Sequence, residues 1–135
     1  MAPIGFFQLA QERPDDVAVV DAHRQLSWSQ FDARVNQLGR LLHASGLGVG
    51  DHVAMVMGNR AEFAEILGAC MKTGIVVTPV NWHFTPDEVA YVIQDCGAKA
   101  VVVDATYAEL GLRALEVVGP ELALVTGDDD HGPYR

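Results

Sequence analysis

HVAMVMGNRAEFAEILGACMKTGIVVTPV, residues 52–80, decides the fold. It opens on an apolar run of strand length, His52 to Met57, without polar alternation. Gly58-Asn59-Arg60 interrupts it with turn chemistry. Phe63, Ile66, Leu67, Cys70 and Met71 then recur at helical spacing and predict one helix side turned to a core. Gly74 follows that helix, and a second apolar, β-branched run occupies 75–80. Strand, helix and strand in so short a span predict a βαβ unit. Its strands lack alternation, so both of their faces are expected to be covered.

Downstream, the same rhythm continues. Asn81-Trp82-His83-Phe84 leaves the second strand. Thr85-Pro86-Asp87-Glu88 is a capping box with proline at the first helical position. Val89, Val92, Ile93 and Cys96 predict the buried face of that helix, and Gly97 its end. AVVV (100–103) predicts a third strand running into Asp104. Thr106-Tyr107-Ala108-Glu109 predicts the cap of a further helix. ELALVT (121–126) predicts a fourth strand, and GDDDHGPYR (127–135) a loose polar tail.

Upstream, Ile4 to Glu12 predicts a short helix stopped at Arg13-Pro14. AVVD (18–21) and QLSW (25–28) flank the polar AHR and predict a β-hairpin. Ser27-Trp28-Ser29-Gln30 is a second capping box, followed by Trp28, Phe31, Val35, Leu38 and Leu42 on one helical face. Gly46 supplies the left-handed position that ends this helix. The fold class is therefore α/β: a layered, mostly parallel sheet with flanking helices plus an N-terminal β-hairpin. One domain is expected over 1–126.

Composition bounds the function. Nine basic against 18 acidic residues leave a net charge of −9 in 135 residues. Nucleic acid and anionic membranes attract basic surfaces, so neither is the expected partner. A run of about 18 apolar residues is absent, so no membrane span is expected. The start, MAPIGFFQLAQERPDD, has no basic n-region and no clean apolar core, and the expected location is cytoplasmic. Cys70 and Cys96 lie in helical patterns without metal-ligand spacing and are expected to be buried free thiols.

Four decoys are set aside. Gly46-Leu47-Gly48-Val49-Gly50 resembles a phosphate loop, but such a loop follows a strand and opens a helix. Here the order is helix, glycines, strand. Thr126-Gly127-Asp128 suggests a ribose aspartate, yet Asp129 and Asp130 beside it favour a solvated acidic turn. The five histidines show no paired metal spacing. No serine occupies a strand-to-helix elbow.

Two residues stand out. Arg60 and His83 each follow the C-terminal end of a predicted strand, where open parallel sheets gather ligands. Arg60 also lies beside a helix N-terminus, which favours anions. The competing reading pairs Arg60 with Glu62 or a nearby carboxylate on the surface. It also has Trp82 and Phe84 covering the sheet edge, with Asn81 bonding backbone in the turn.

LSWSQFD (26–32), VGDHVAMVMGNRAEF (49–63) and MKTGIVVTPVNWHFTPDEVAYVIQDCGAKAVVVD (71–104) together resemble the N-terminal part of AMP-forming acyl-CoA synthetases, of the adenylate-forming superfamily. LSWSQFD is similar to its first core motif, Leu-Thr-Tyr-x-Glu-Leu. MKTGIVVTPVN is similar to its second, Leu-Lys-Ala-Gly followed by Pro-hydrophobic-Asn. The resemblance covers roughly residues 4–126. It implies an enzyme that joins a carboxylic acid to ATP, releases pyrophosphate and passes the acyl-adenylate to the thiol of CoA. ATP, Mg²⁺ and CoA are thus implied for the intact enzyme.

The family's phosphate loop ending in Pro-Lys-Gly, its Tyr-Gly-x-Thr-Glu motif, its ribose aspartate and its catalytic lysine do not occur here. The resemblance therefore implies an N-terminal portion with no catalytic residue and no cofactor bound on its own, with the remainder of the synthetase as partner. Relatives carry Asn-x-Arg-Leu where this chain has NWHF, near the mouth where the CoA nucleotide docks. That places His83, and with it Arg60, close to the CoA nucleotide in an intact enzyme. A neutral imidazole holds phosphate less firmly than guanidinium does. Two other functions remain open. One is a non-catalytic binding or assembly module, homo-oligomeric through exposed apolar surface. The other is an independent flavodoxin-like nucleotide binder whose anion site would be Gly58-Asn59-Arg60.

Overall fold

The structure is a computed structural model and describes residues 5–119 and 122–126. The predicted tail, 127–135, lies outside the described residues. A 3₁₀ turn, Gly5–Gln8, runs into α1 (Leu9–Glu12). β1 (Val17–Val20) and β2 (Gln25–Ser27) pair antiparallel as the expected hairpin. α2 spans Trp28–Ala44, β3 His52–Val56, α3 Ala61–Thr73 and β4 Val76–Val80. α4 spans Pro86–Asp95, β5 Ala98–Asp104, α5 Ala108–Val118 and β6 Leu122–Thr126.

β3 to β6 form one parallel sheet in the order β4-β3-β5-β6. The chain moves one way from β3 to β4, then back past β3 to β5 and β6. Right-handed crossovers must then put α3 on one face and α4 and α5 on the other. The two cores show this partition. Val53 and Met55 pack with Phe31, Val35 and Leu38 of α2 and with Ile66 and Ala69 of α3. Ala54 and Val56 pack with Val89 and Ile93 of α4 and with Ala114 of α5. Alternate residues of β3 thus serve opposite layers, and from Val53 to Val56 the strand is buried.

Local signals explain the helix ends. Ser27 Oγ accepts from Gln30 N–H while the Gln30 side chain accepts from Ser27 N–H, and Thr85 and Glu88 do the same for α4. Gly74 ends α3 at φ 73°, a conformation glycine adopts without steric cost. The glycine segment 46–50 turns the chain between α2 and β3, with Asp51 accepting from Gly48 N–H. The hydrogen bond from Lys99, together with that N–H, holds the Asp51 carboxyl below its ordinary value.

Four expectations are corrected. β4 is an edge strand among the described residues, so its faces are only partly covered and Val76 is 44% exposed. Met71 stands 66% exposed, because it falls past the end of the stripe that meets the sheet. Cys70 is buried, but Cys96 is only half-buried at the C-cap of α4, and Val92 is half-buried too. The box at Thr106 does not form. Asp104 accepts from Thr106 N–H instead and starts a 3₁₀ turn, Ala105–Tyr107, ahead of α5. The carboxylate at the strand end reaches that donor first.

Candidate functional site at the C-terminal edge of the sheet

The strand order reverses around β3 and β5, so the crevice outside their C-terminal ends is the natural ligand position in such a sheet. Three loops meet this edge: Met57–Arg60 after β3, Asn81–Thr85 after β4 and Ala105–Tyr107 after β5. Both residues singled out from sequence lie on these loops.

Arg60 is not a surface residue. Its side chain is 8% exposed and sits among carboxylates. Nε donates to Glu62 Oε2 at 3.2 Å and Nη1 to Asp104 Oδ1 at 3.3 Å. Glu62 is fully buried and also accepts from Arg24 Nη2, which comes from the hairpin. The pairing with Glu62 is thus present, but inside the protein. The N-terminus of α3 already has an anion of its own. Asp21 Oδ2 accepts from Ala61 N–H at 2.7 Å, while Oδ1 accepts from His23 and Arg24 N–H. Burial opposes the Asp21 charge, yet these three N–H donors outweigh it and hold the carboxyl down at about 2. Asp21 and Arg24 therefore tie the hairpin to α3 through charge. On the same helix, Glu65 is equally buried and is met by Arg34 of α2.

His83 is exposed and held locally. Asn81 Oδ1 accepts from His83 N–H at 3.0 Å, and the His83 Nδ1–H tautomer donates to the same oxygen at 3.0 Å. That tautomer leaves Nε2 as the ring's acceptor. The imidazole lies on Trp82 with centroids 3.5 Å apart and planes 26° apart. Trp82 in turn stacks on Tyr107 at 4.9 Å and 17°. Three rings thus form a ladder across the loops after β4 and β5. Beside it runs an open groove of about 350 Å³ between Trp82, Phe84 and Pro86 on one side and Tyr107, Leu110 and Arg113 on the other.

Sequence reasoning found Arg60 and His83 and offered Glu62 as a partner of Arg60, but missed Tyr107 and Asp104 as parts of this edge. For Asp104 a signal existed: a carboxylate closing a strand, followed two residues later by a free N–H, is an Asx turn. Tyr107 carried no signal, since its partner Trp82 arrives from another loop, and the burial of Glu62 was missed because Arg24 reaches it from the hairpin. Among the described residues no group of three or more His, Cys, Asp or Glu side chains could hold a metal ion. No described helix is long and apolar enough to cross a membrane.

Comparisons with known proteins agree with this architecture. A fatty acid–[acyl-carrier-protein] ligase, ScoC of Streptomyces coeruleorubidus, is 31% identical over 119 residues, which are 88% of this chain and 23% of that protein. A 3-hydroxybenzoate–CoA ligase of Aromatoleum sp. (strain CIB) is 35% identical over 121 residues, again 88% of this chain and 23% of the relative. A fatty acyl CoA synthetase of Mycobacterium tuberculosis superposes with a TM-score of 0.83 at 26% identity, covering 90% of this chain and 25% of that one. The chain thus spans about a quarter of the length of the relatives it matches. The model of one family, described as AMP-binding enzyme, matches residues 6–132, and the chain belongs to that family.

Proposed function

We propose that these residues are the N-terminal portion of an ATP-dependent, AMP-forming acid–thiol ligase acting on a fatty acid and CoA. Residues 1–126 would form one subdomain of its large domain, partnered by the remainder of the enzyme. ATP, Mg²⁺ and CoA belong to that whole enzyme. The observation that carries the proposal is the family match across residues 6–132, in a chain spanning about a quarter of its relatives. One of these relatives by name acts on a fatty acid and another on 3-hydroxybenzoate, and the neighbouring structure is a fatty acyl CoA synthetase.

Adenylation needs donors arranged around a transferring phosphoryl group. Arg60 directs its donors at Glu62 and Asp104, and the two lysines pair with Asp32 and Asp51. On this reading the phosphate loop and catalytic lysine belong to the remainder, and the chain by itself is inactive in adenylation. Its part is to supply one wall of the ligand cleft. His83, with Nε2 available, lies next to the CoA nucleotide, and Arg60 serves the same edge from beneath.

The test is carboxylate-dependent ATP–pyrophosphate exchange on the 135-residue chain with a panel of fatty and aromatic acids. No exchange is expected, and exchange above background would overturn the assignment of the chemistry to the remainder. In a longer polypeptide carrying these residues, His83→Ala is expected to raise the KM for CoA. An unchanged KM would remove His83 from the site. A second reading, an assembly module, is favoured by the open β4 edge, since an unpaired strand is a template for another chain. A strictly monomeric chain in sizing runs at several concentrations would count against it.

A further inference from the structure

We infer that Asp104 is a positioning residue that sets the geometry of the Tyr107–Trp82–His83 ladder. Asp104 closes β5 and is 2% exposed. A carboxylate so placed needs partners, and its Oδ1 has two. It accepts from Arg60 Nη1 at 3.3 Å and from Thr106 N–H at 2.9 Å. The Thr106 bond folds Ala105–Tyr107 into its 3₁₀ turn, and that turn delivers the Tyr107 ring to the edge. Gly58 clears the way on the other side: a Cβ there would lie 3.2 Å from the Tyr107 hydroxyl oxygen.

Trp82 then stacks on Tyr107, and His83 on Trp82. The Asn81–Phe84 turn is exposed, and its own hydrogen bonds stay within the turn: Phe84 N–H to Asn81 C=O and the two His83 bonds to Asn81 Oδ1. Those bonds shape the turn but do not fix its position on the sheet. β4 and the Thr85 cap of α4 anchor the ends of the turn; the Tyr107 ring meets it from the neighbouring loop and orients Trp82, and Asp104 positions that ring. Arg60 completes the arrangement, because Glu62 holds it from behind while also accepting from Arg24 of the hairpin. A consequence for CoA binding rests on the function proposed above, but the ring geometry is independent of any ligand.

The test reads ring-to-ring nuclear Overhauser contacts in the 135-residue chain. The Trp28–Phe31 pair of α2, with centroids 6.1 Å apart, serves as an internal control for the fold. Asp104→Ala is expected to abolish the Trp82–Tyr107 contacts and keep those of Trp28–Phe31. Asp104→Asn retains an acceptor for Thr106 N–H and is expected to restore the stack. Persistence of the Trp82–Tyr107 contacts in folded Asp104→Ala would overturn the inference, as would their loss in folded Asp104→Asn. Should Asp104→Ala lose the control contacts as well, the double variant Arg60→Met/Asp104→Leu takes its place. It removes the Arg60–Asp104 pair while Arg24 still meets Glu62, it lacks the acceptor for Thr106 N–H, and the same two outcomes decide. ATP–pyrophosphate exchange and the CoA KM stay independent readouts, so failure here leaves the proposed function standing and the reverse holds too.

Discussion

β3 and β4 are consecutive strands of five residues, HVAMV and VVTPV, paired in parallel register from His52–Val76 to Val56–Val80. Both are apolar and rich in β-branched residues. β3 is buried from Val53 onward, whereas β4 leaves Val76 and Pro79 exposed. The difference comes from strand order and not from composition. β5 pairs with the free side of β3, and nothing among the described residues pairs with the far side of β4. Pro79 marks that difference locally. It has no N–H to give, which an edge strand tolerates and an interior strand does not.

The sharpest way to break this comparison uses two residues that face each other across the pair. Met55 is 1% exposed and its partner Pro79 is exposed. Met55→Ala is expected to cost about 2–5 kcal/mol in urea unfolding, and Pro79→Ala less than about 1 kcal/mol. Equal losses would mean that β4 is as enclosed as β3. Ile66→Ala extends the test to the layer covering β3. Ile66 is fully buried and the half-buried Val92 is not, so expected losses are about 2–4 kcal/mol for the first and about 1 kcal/mol for alanine at the second.

Next in size is the tie that holds the hairpin on the β3 side. Asp21→Ala is expected to cost about 1–2 kcal/mol at pH 7, discounted for partial solvent screening. The sign follows from a folded carboxyl lowered from 3.8 to about 2. Its contribution is full above the unfolded value near 4 and disappears as pH falls towards 2. Urea midpoints of the wild type and the variant should therefore converge between pH 4 and pH 2. A gap that stays constant across that range would remove Asp21 from the account. The smallest effect belongs to the open edge: Val76→Thr should change stability by less than about 0.5 kcal/mol.

Thiol chemistry sharpens the same contrast between covered and open layers. Burial pushes the Cys70 thiol up to about 11, while Cys96 is half-buried. Alkylation at pH 8 under native conditions should modify Cys96 first and leave Cys70 unmodified until unfolding. Mass spectrometry of the partly reacted chain would show it, and Cys70 reacting first would contradict the burial of the α2–α3 layer.

Much of this architecture was legible because its signals are local. The boxes at Ser27 and Thr85 and the glycines at 46, 74 and 97 each act within one turn, and each appears where the sequence put it. The alternation of strands and helices was equally visible, and with it the parallel sheet. What could not be read depends on elements that meet only in space. The edge position of β4 follows from where β5 inserts. The burial of Glu62 and Glu65 follows from Arg24 and Arg34 arriving from other elements, which turned two residues of an apparently polar helix side inward. The candidate edge was legible as two loops, those bearing Arg60 and His83. Its third loop was misread, because a capping box at Thr106 and an Asx turn at Asp104 compete for the same N–H, and Asp104, which also meets Arg60, holds it.

The insertion of β5 between β3 and β6 also has a consequence in time. β3 is complete at Val56, but the strand that covers its second edge begins at Ala98. At roughly 5–20 residues per second of synthesis, several seconds separate the two. Through that interval an interior strand of the sheet stands half-zipped on a nascent chain, and its unpaired ladder is open to whatever meets it first. A chaperone that binds extended apolar segments would find its target there, and slower translation between residues 57 and 97 would lengthen the exposure.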